Sequence, residues 1–128
     1  MNGVAELVRE TSEVKVRARV LIVEDSEDQR DLLRTYLVKA NCEVIAVKNA
    51  EDAIAAYLSE TPDIAIIDLL LPGMNGWELV RRIRADRPET AVVITSVLDT
   101  TDFPATEAML PKPFTRAQVL KVIEDCVS

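Results

Sequence analysis

The chain contains no histidine. That absence removes Ser-His-Asp and Cys-His catalysis, histidine-ligated metal centres and any role as a histidine phosphodonor. Glycine is nearly as scarce, with Gly3, Gly73 and Gly76 the full complement, so neither a Walker loop nor a dinucleotide-binding fingerprint can be built. Two cysteines, Cys42 and Cys126, are too few to staple a domain of 128 residues. They read as small apolar packing residues in a reducing compartment rather than as a disulfide. Aromatic residues make up 4% of the chain, which leaves the core to Val, Ile, Leu and Ala. No apolar run approaches the roughly 18 residues that a membrane span needs, and no apolar leader stretch opens the sequence. A cytoplasmic protein without membrane contact is expected.

Positive charge is also in deficit. Fifteen Lys and Arg face 22 Asp and Glu, for a net charge of −7 and a sequence pI near 4.6. Nucleic-acid binders carry a basic patch, and no Lys/Arg cluster here supplies one, so direct contact with nucleic acid is not expected. The apolar content of 48% is enough for one core and too little for two domains.

What is present falls into alternating strands and helices. Val20-Leu21-Ile22-Val23 is a continuous apolar run that ends in Glu24-Asp25. Ser26 can cap a helix with Leu32, Leu33, Tyr36 and Leu37 at helical spacing. Val44 to Val47 reads as a second strand, and Asn49 caps a helix carrying Ala50, Ala53, Ile54, Tyr57 and Leu58, stopped before Pro62. Ile64 to Ile67 is a third strand ending at Asp68. After Pro72-Gly73, Asn75 opens a helix with Leu79, Val80 and Ile83 inward that ends before Pro88. Ala91 to Ile94 is a fourth strand running into Thr95, and Ala108-Met109-Leu110 is a weaker fifth leading to Lys112-Pro113. Thr115 caps a last helix with Val119, Leu120, Ile123, Cys126 and Val127 inward. This order predicts an α/β fold whose parallel sheet is covered on both faces. Residues 1–17 read as a mobile N-terminal extension, in which Val4, Leu7 and Val8 could form one amphipathic turn, and 18–128 as the folded domain. Only about ten residues, Val97 to Thr106, join the fourth strand to the fifth, which is near the lower limit for a helical crossover. Pro104 and the turn-prone Asp99-Thr100-Thr101-Asp102 oppose a helix there, so the fourth helix is predicted to be shortened or missing.

Ligands of parallel α/β sheets bind beyond the carboxyl ends of the strands. Glu24, Asp25, Asp68, Thr95 and Lys112 all sit at such ends. Each alone has a bland reading, as a helix cap, a strand-end threonine or a solvated lysine. Together they converge on one rim. Two carboxylates about 5 Å apart repel by roughly 3 kcal/mol at an effective dielectric near 20, so three acids need a cation among them. With neither His nor Cys at the rim, the donors are oxygens, and a hard ion such as Mg²⁺ suits them. Carboxylates, Mg²⁺, a lysine and a hydroxyl describe a phosphoryl-transfer pocket.

Over roughly residues 18–127 the chain resembles the response-regulator receiver family. The resemblance rests on Val-Leu-Ile-Val-Glu24-Asp25-Ser26, Asp68-Leu-Leu-Leu-Pro72-Gly73-Met74-Asn75-Gly76, Ile94-Thr95-Ser96 and Lys112-Pro113-Phe114. It implies a flavodoxin-like, doubly wound five-stranded sheet in the order 2-1-3-4-5. It also implies that Asp68 accepts phosphoryl from the phosphohistidine of a histidine kinase or a histidine phosphotransfer protein. Asp25, Asp68 and the Leu70 backbone carbonyl would ligate Mg²⁺, with Glu24 assisting through water. Thr95 and Lys112 would contact the phosphoryl oxygens, and the Lys112–Pro113 bond would be cis. Such a protein promotes only its own phosphorylation and dephosphorylation. With no effector domain attached, its output would be a contact with an unidentified protein.

The chain departs from that family at one surface. Most receivers carry Tyr or Phe three residues before the lysine, where Met109 stands, and Pro111 removes a backbone donor from the fifth strand. Phosphorylation is therefore expected to reorder 97–106 instead of rotating an aromatic ring. Leu70 and Val97 flank the expected path of the hydrolytic water and cannot orient it, which predicts a slowly hydrolysed aspartyl phosphate. A haloacid-dehalogenase-type phosphohydrolase also uses an aspartate nucleophile, but it needs an acid at the position of Leu70. A phosphorylation-independent binding module on the same fold is the other reading, favoured by the altered surface and opposed by the full set of rim residues. Trp77 reads as a partly exposed packing residue; Phe103 either anchors the 97–106 segment or offers a partner contact.

Overall fold

The computed structural model describes residues 16–127. Strands β1 (Arg19–Val23), β2 (Glu43–Val47), β3 (Ile64–Asp68), β4 (Ala91–Ser96) and β5 (Ala108–Pro111) form one parallel sheet in the order β2-β1-β3-β4-β5. Helices α1 (Glu27–Lys39), α2 (Ala50–Ser59), α3 (Gly76–Asp86) and α4 (Arg116–Val127) complete the fold. The flavodoxin-like topology implied by the resemblance is the one observed.

The helix starts follow from short polar side chains. Ser26, Asn49 and Asn75 each accept a hydrogen bond from the backbone N–H three residues on, at Gln29, Asp52 and Glu78. At α4 the capping is reciprocal: Thr115 Oγ1 accepts from the Gln118 N–H while Gln118 Oε1 accepts from the Thr115 N–H. Strand alternation then divides the core. Val20, Ile22, Ile64, Ile66, Val93 and Leu110 pack against Leu33 and Leu37 of α1 and Val119 and Ile123 of α4. Leu21, Val23, Ala65, Ile67, Val92 and Ile94 face Ala53 and Tyr57 of α2 and Leu79 and Ile83 of α3.

Three expected core positions are corrected. Leu32 and Leu58 lie at the margins of their helical stripes and are exposed, as is Val127 at the last turn of α4, where Val122 is buried instead. Cys42 and Cys126 are free thiols whose pKa values burial pushes up, which suits packing rather than reactivity. The amphipathic turn and the mobility expected near the N-terminus concern residues of which 1–15 lie outside the described ones. Arg17 is held, its N–H donating to the Asn41 carbonyl.

The crossover from β4 to β5 contains a single 3₁₀ turn, Thr100–Asp102, where a fourth helix would otherwise lie. Asp99 caps it by accepting from both the Thr101 N–H and the Thr101 hydroxyl, each at 3.0 Å. Leu98 and Phe103 are half-buried against the α2/α3 side of the core, so Phe103 anchors the segment. On the same side of β5, Met109 is 50% exposed.

Candidate functional site

The carboxyl rim gathers the residues singled out in the sequence. Asp68 ends β3 and is in register with Thr95 of β4, which is in turn opposite Leu110 of β5. Glu24 follows β1, and its N–H donates to the Val47 carbonyl, so the acid leaves the sheet at a fixed height. One oxygen from each of Glu24, Asp25 and Asp68 lies within 4.8 Å of the others. Glu24 and Asp68 are buried, at 1% and 4% exposure, while Asp25 is open to solvent.

Lys112 reaches into this group from the loop after β5, across the cis Lys112–Pro113 bond. Its Nζ is 2.6 Å from Glu24 Oε1 and 2.9 Å from Asp68 Oδ2. Burial works against the Lys112 charge, but the hydrogen bonds to Glu24 and Asp68 outweigh it and hold the ammonium above its ordinary pKa. Burial pushes the Glu24 carboxyl up, opposed by Lys112 and by the Ser26 N–H, which donates to Glu24 Oε2 at 3.1 Å. Asp68 Oδ1 accepts from the Leu70 N–H at 3.0 Å. Thr95 is fully buried, and its hydroxyl has no hydrogen-bond partner among the described residues. A buried hydroxyl in that condition is poorly satisfied and is available to an oxygen brought to Asp68.

All five side chains are thus brought together, and Leu70 lies on the same rim with its side chain 46% exposed. The donors are oxygens throughout, and three acids face one ammonium. The chemistry of that set fits a hard divalent cation, with Glu24, Asp25 and Asp68 as the residues able to hold it.

Two supporting residues were not foreseen. Arg30 of α1 donates from Nη1 to the Glu24 carbonyl at 2.9 Å and pins the loop between β1 and α1; no motif marks an arginine six residues past an acid. Gly76 packs so tightly beneath the rim that a Cβ would stand 2.4 Å from Leu69 Cα and 2.5 Å from the Asp68 carbonyl oxygen. The scarcity of glycine was the available clue.

The fold is a five-stranded doubly wound parallel sheet with an acid-and-lysine rim. A sequence profile of the response regulator receiver domain matches residues 20–124, and the chain belongs to that family. It is 32% identical over 111 residues to the regulatory protein VanRB of Enterococcus faecalis, covering 83% of this chain and 50% of that protein. It is 40% identical over 83 residues to a cyclic di-GMP phosphodiesterase of Thermotoga maritima, covering 65% of this chain and 22% of the enzyme. The chain thus spans half or less of these two relatives. Among solved structures, chemotaxis response regulator CheY4 of Vibrio cholerae superposes with a TM-score of 0.79 at 25% identity, covering 85% of this chain and 98% of that one. Among the described residues no helix is long and apolar enough to cross a membrane.

Proposed function

We propose that the rim is a Mg²⁺-dependent phosphoacceptor site with Asp68 as the acceptor. The observation that carries this reading is the partly buried Lys112 ammonium bridging Glu24 and Asp68 beside the Thr95 hydroxyl, which has no partner among the described residues. An Asp68 carboxylate oxygen attacks the phosphorus of a donor phosphohistidine. The O–P bond forms as the P–N bond breaks, and the imidazole leaves with the electron pair. Mg²⁺ held by Asp25, Asp68 and the Leu70 carbonyl, with Glu24 through water, would neutralise charge on the transferring group. Lys112 exchanges its carboxylate partners for a phosphoryl oxygen, and Thr95 donates its hydroxyl to another.

The phosphodonor is a histidine kinase or histidine phosphotransfer protein. The output is a protein contact in the cytoplasm, with no chemistry performed on other molecules. Incubation with acetyl phosphate and Mg²⁺ is expected to add one phosphoryl mass to the intact protein and none to an Asp68→Ala variant. Failure of the unaltered protein to gain it, or equal gain by the variant, refutes this assignment.

The exposed, apolar Leu70 and Val97, at 46% and 68%, flank the mouth without a group to orient water. The aspartyl phosphate is therefore long-lived, and Leu70→Asn is expected to shorten its lifetime. An unchanged decay rate would count against that role.

A further inference from the structure

The segment between β4 and β5 carries only a 3₁₀ turn, yet that turn is tied to α3. Trp77, the chain's single tryptophan, donates from its indole N–H to the Asp102 carbonyl at 3.3 Å. That carbonyl belongs to the 3₁₀ turn, which Asp99 caps from its other end. Trp77 itself has little freedom. It follows Gly76, whose N–H donates to the Leu69 carbonyl at 2.9 Å and whose Cα is wedged against the backbone of Asp68 and Leu69. The indole is also half-buried against the same core face as Leu98 and Phe103. One end of this connection is thus the phosphoacceptor's own backbone, and the other is the β4–β5 turn.

The opposite route between the same two places runs through β4. Thr95 is in register with Asp68, and Ser96 is bound twice: its carbonyl accepts from the Lys112 N–H and its hydroxyl from the Leu98 N–H. Satisfying the Thr95 hydroxyl on an oxygen carried by Asp68 would draw the end of β4 toward β3. Through Ser96 and Leu98 that shift pulls on the turn, while Trp77 holds the turn to α3.

We propose that Trp77 is a positioning residue that latches the β4–β5 turn in the arrangement where Lys112 bridges Glu24 and Asp68, so that phosphorylation and release of the turn oppose the Trp77–Asp102 bond. This rests on the phosphoacceptor reading above. Because coupling is reciprocal, weakening the latch must favour phosphorylation. A residue with a merely structural role would, on replacement, leave the reaction unchanged or impair it.

The test compares the unaltered chain with Trp77→Phe, which keeps most of the ring packing and removes the N–H donor. A second variant, Asp99→Ala, loosens the same turn from an exposed position that does not threaten folding. Net loss of one hydrogen bond is expected to raise the initial rate of Asp68 labelling by acetyl phosphate with Mg²⁺, read by intact mass, by about two- to tenfold. Affinity for fluoroberyllate should rise by a similar factor, and the two substitutions should be less than additive because both act on one turn. Amide resonances of 100–103 in Trp77→Phe should move toward their positions in the fluoroberyllate-bound unaltered protein. Rates and affinities in both variants equal to or below those of the unaltered chain overturn the latch while leaving the phosphoacceptor site standing. An unaltered chain that takes up no phosphoryl group overturns both.

Discussion

The β3-to-β4 and β4-to-β5 crossovers cover the same face of the sheet by unequal means. The first carries α3, whose Leu79, Val80 and Ile83 are buried, and its start is wedged under the rim by Gly76. It is further stapled to α2, where the Tyr57 hydroxyl donates to Asp86 Oδ2 at 2.6 Å and the Arg87 guanidinium lies 6.0 Å from the Tyr57 ring centre. The second carries a three-residue turn with no buried residue of its own, held by Asp99, Phe103 and one indole hydrogen bond. The site therefore sits between a rigid wall, which fixes Asp68, and a light one, which follows Thr95. Rigidity at one wall and compliance at the other are what the proposed switch requires.

That contrast can be broken at several points. Gly76→Ala forces backbone against backbone and is expected to destabilise by about 3 kcal/mol or more, with loss of Asp68 labelling; a near-neutral denaturant midpoint would show the wall to be soft. Ile83→Ala should cost about 2–5 kcal/mol as a core truncation, whereas the half-buried Phe103→Ala should cost about 1–2 kcal/mol. Equal losses from chemical denaturation would erase the distinction between the crossovers.

The smallest effect is expected at the staple, where Tyr57→Phe should cost about 0.5–1 kcal/mol near neutral pH. Burial first, and Asp86 second, push the Tyr57 phenol from 10.0 up to about 12. The folded state thus favours the neutral phenol. Its contribution is complete below pH 10 and declines as pH rises from 10 toward 12. Urea midpoints of the unaltered protein should fall more steeply across that interval than those of Tyr57→Phe. Parallel slopes would remove the staple from the rigid wall.

Much of this contrast is legible in the sequence alone. Apolar strand runs ending in Glu24, Asp68 and Thr95 located the rim, because parallel strands deliver their last residues to one edge. The short spacing and Pro104 gave the missing helix. Other features depend on contacts far apart in sequence. The burial of Val122 in place of Val127 reflects how α4 meets α1. The indole of Trp77 finds a carbonyl 25 residues away, which no local pattern encodes. Lys112 was expected to face a phosphoryl group. That it also spans Glu24 and Asp68 follows from the need of two buried acids for a counter-charge, a demand visible only once their burial is known.

Among the described residues the sheet ends at β5, whose outer margin offers little to a further strand. Glu107 donates its N–H to Val92, so strand alternation turns the main chain of Ala108 and Leu110 outward. The Thr106 hydroxyl already occupies the Ala108 carbonyl at 3.0 Å. An incoming polypeptide meets a border four residues long that is already partly spoken for. Such a border is a poor template for the addition of a further strand, even with Met109 uncovered beside it.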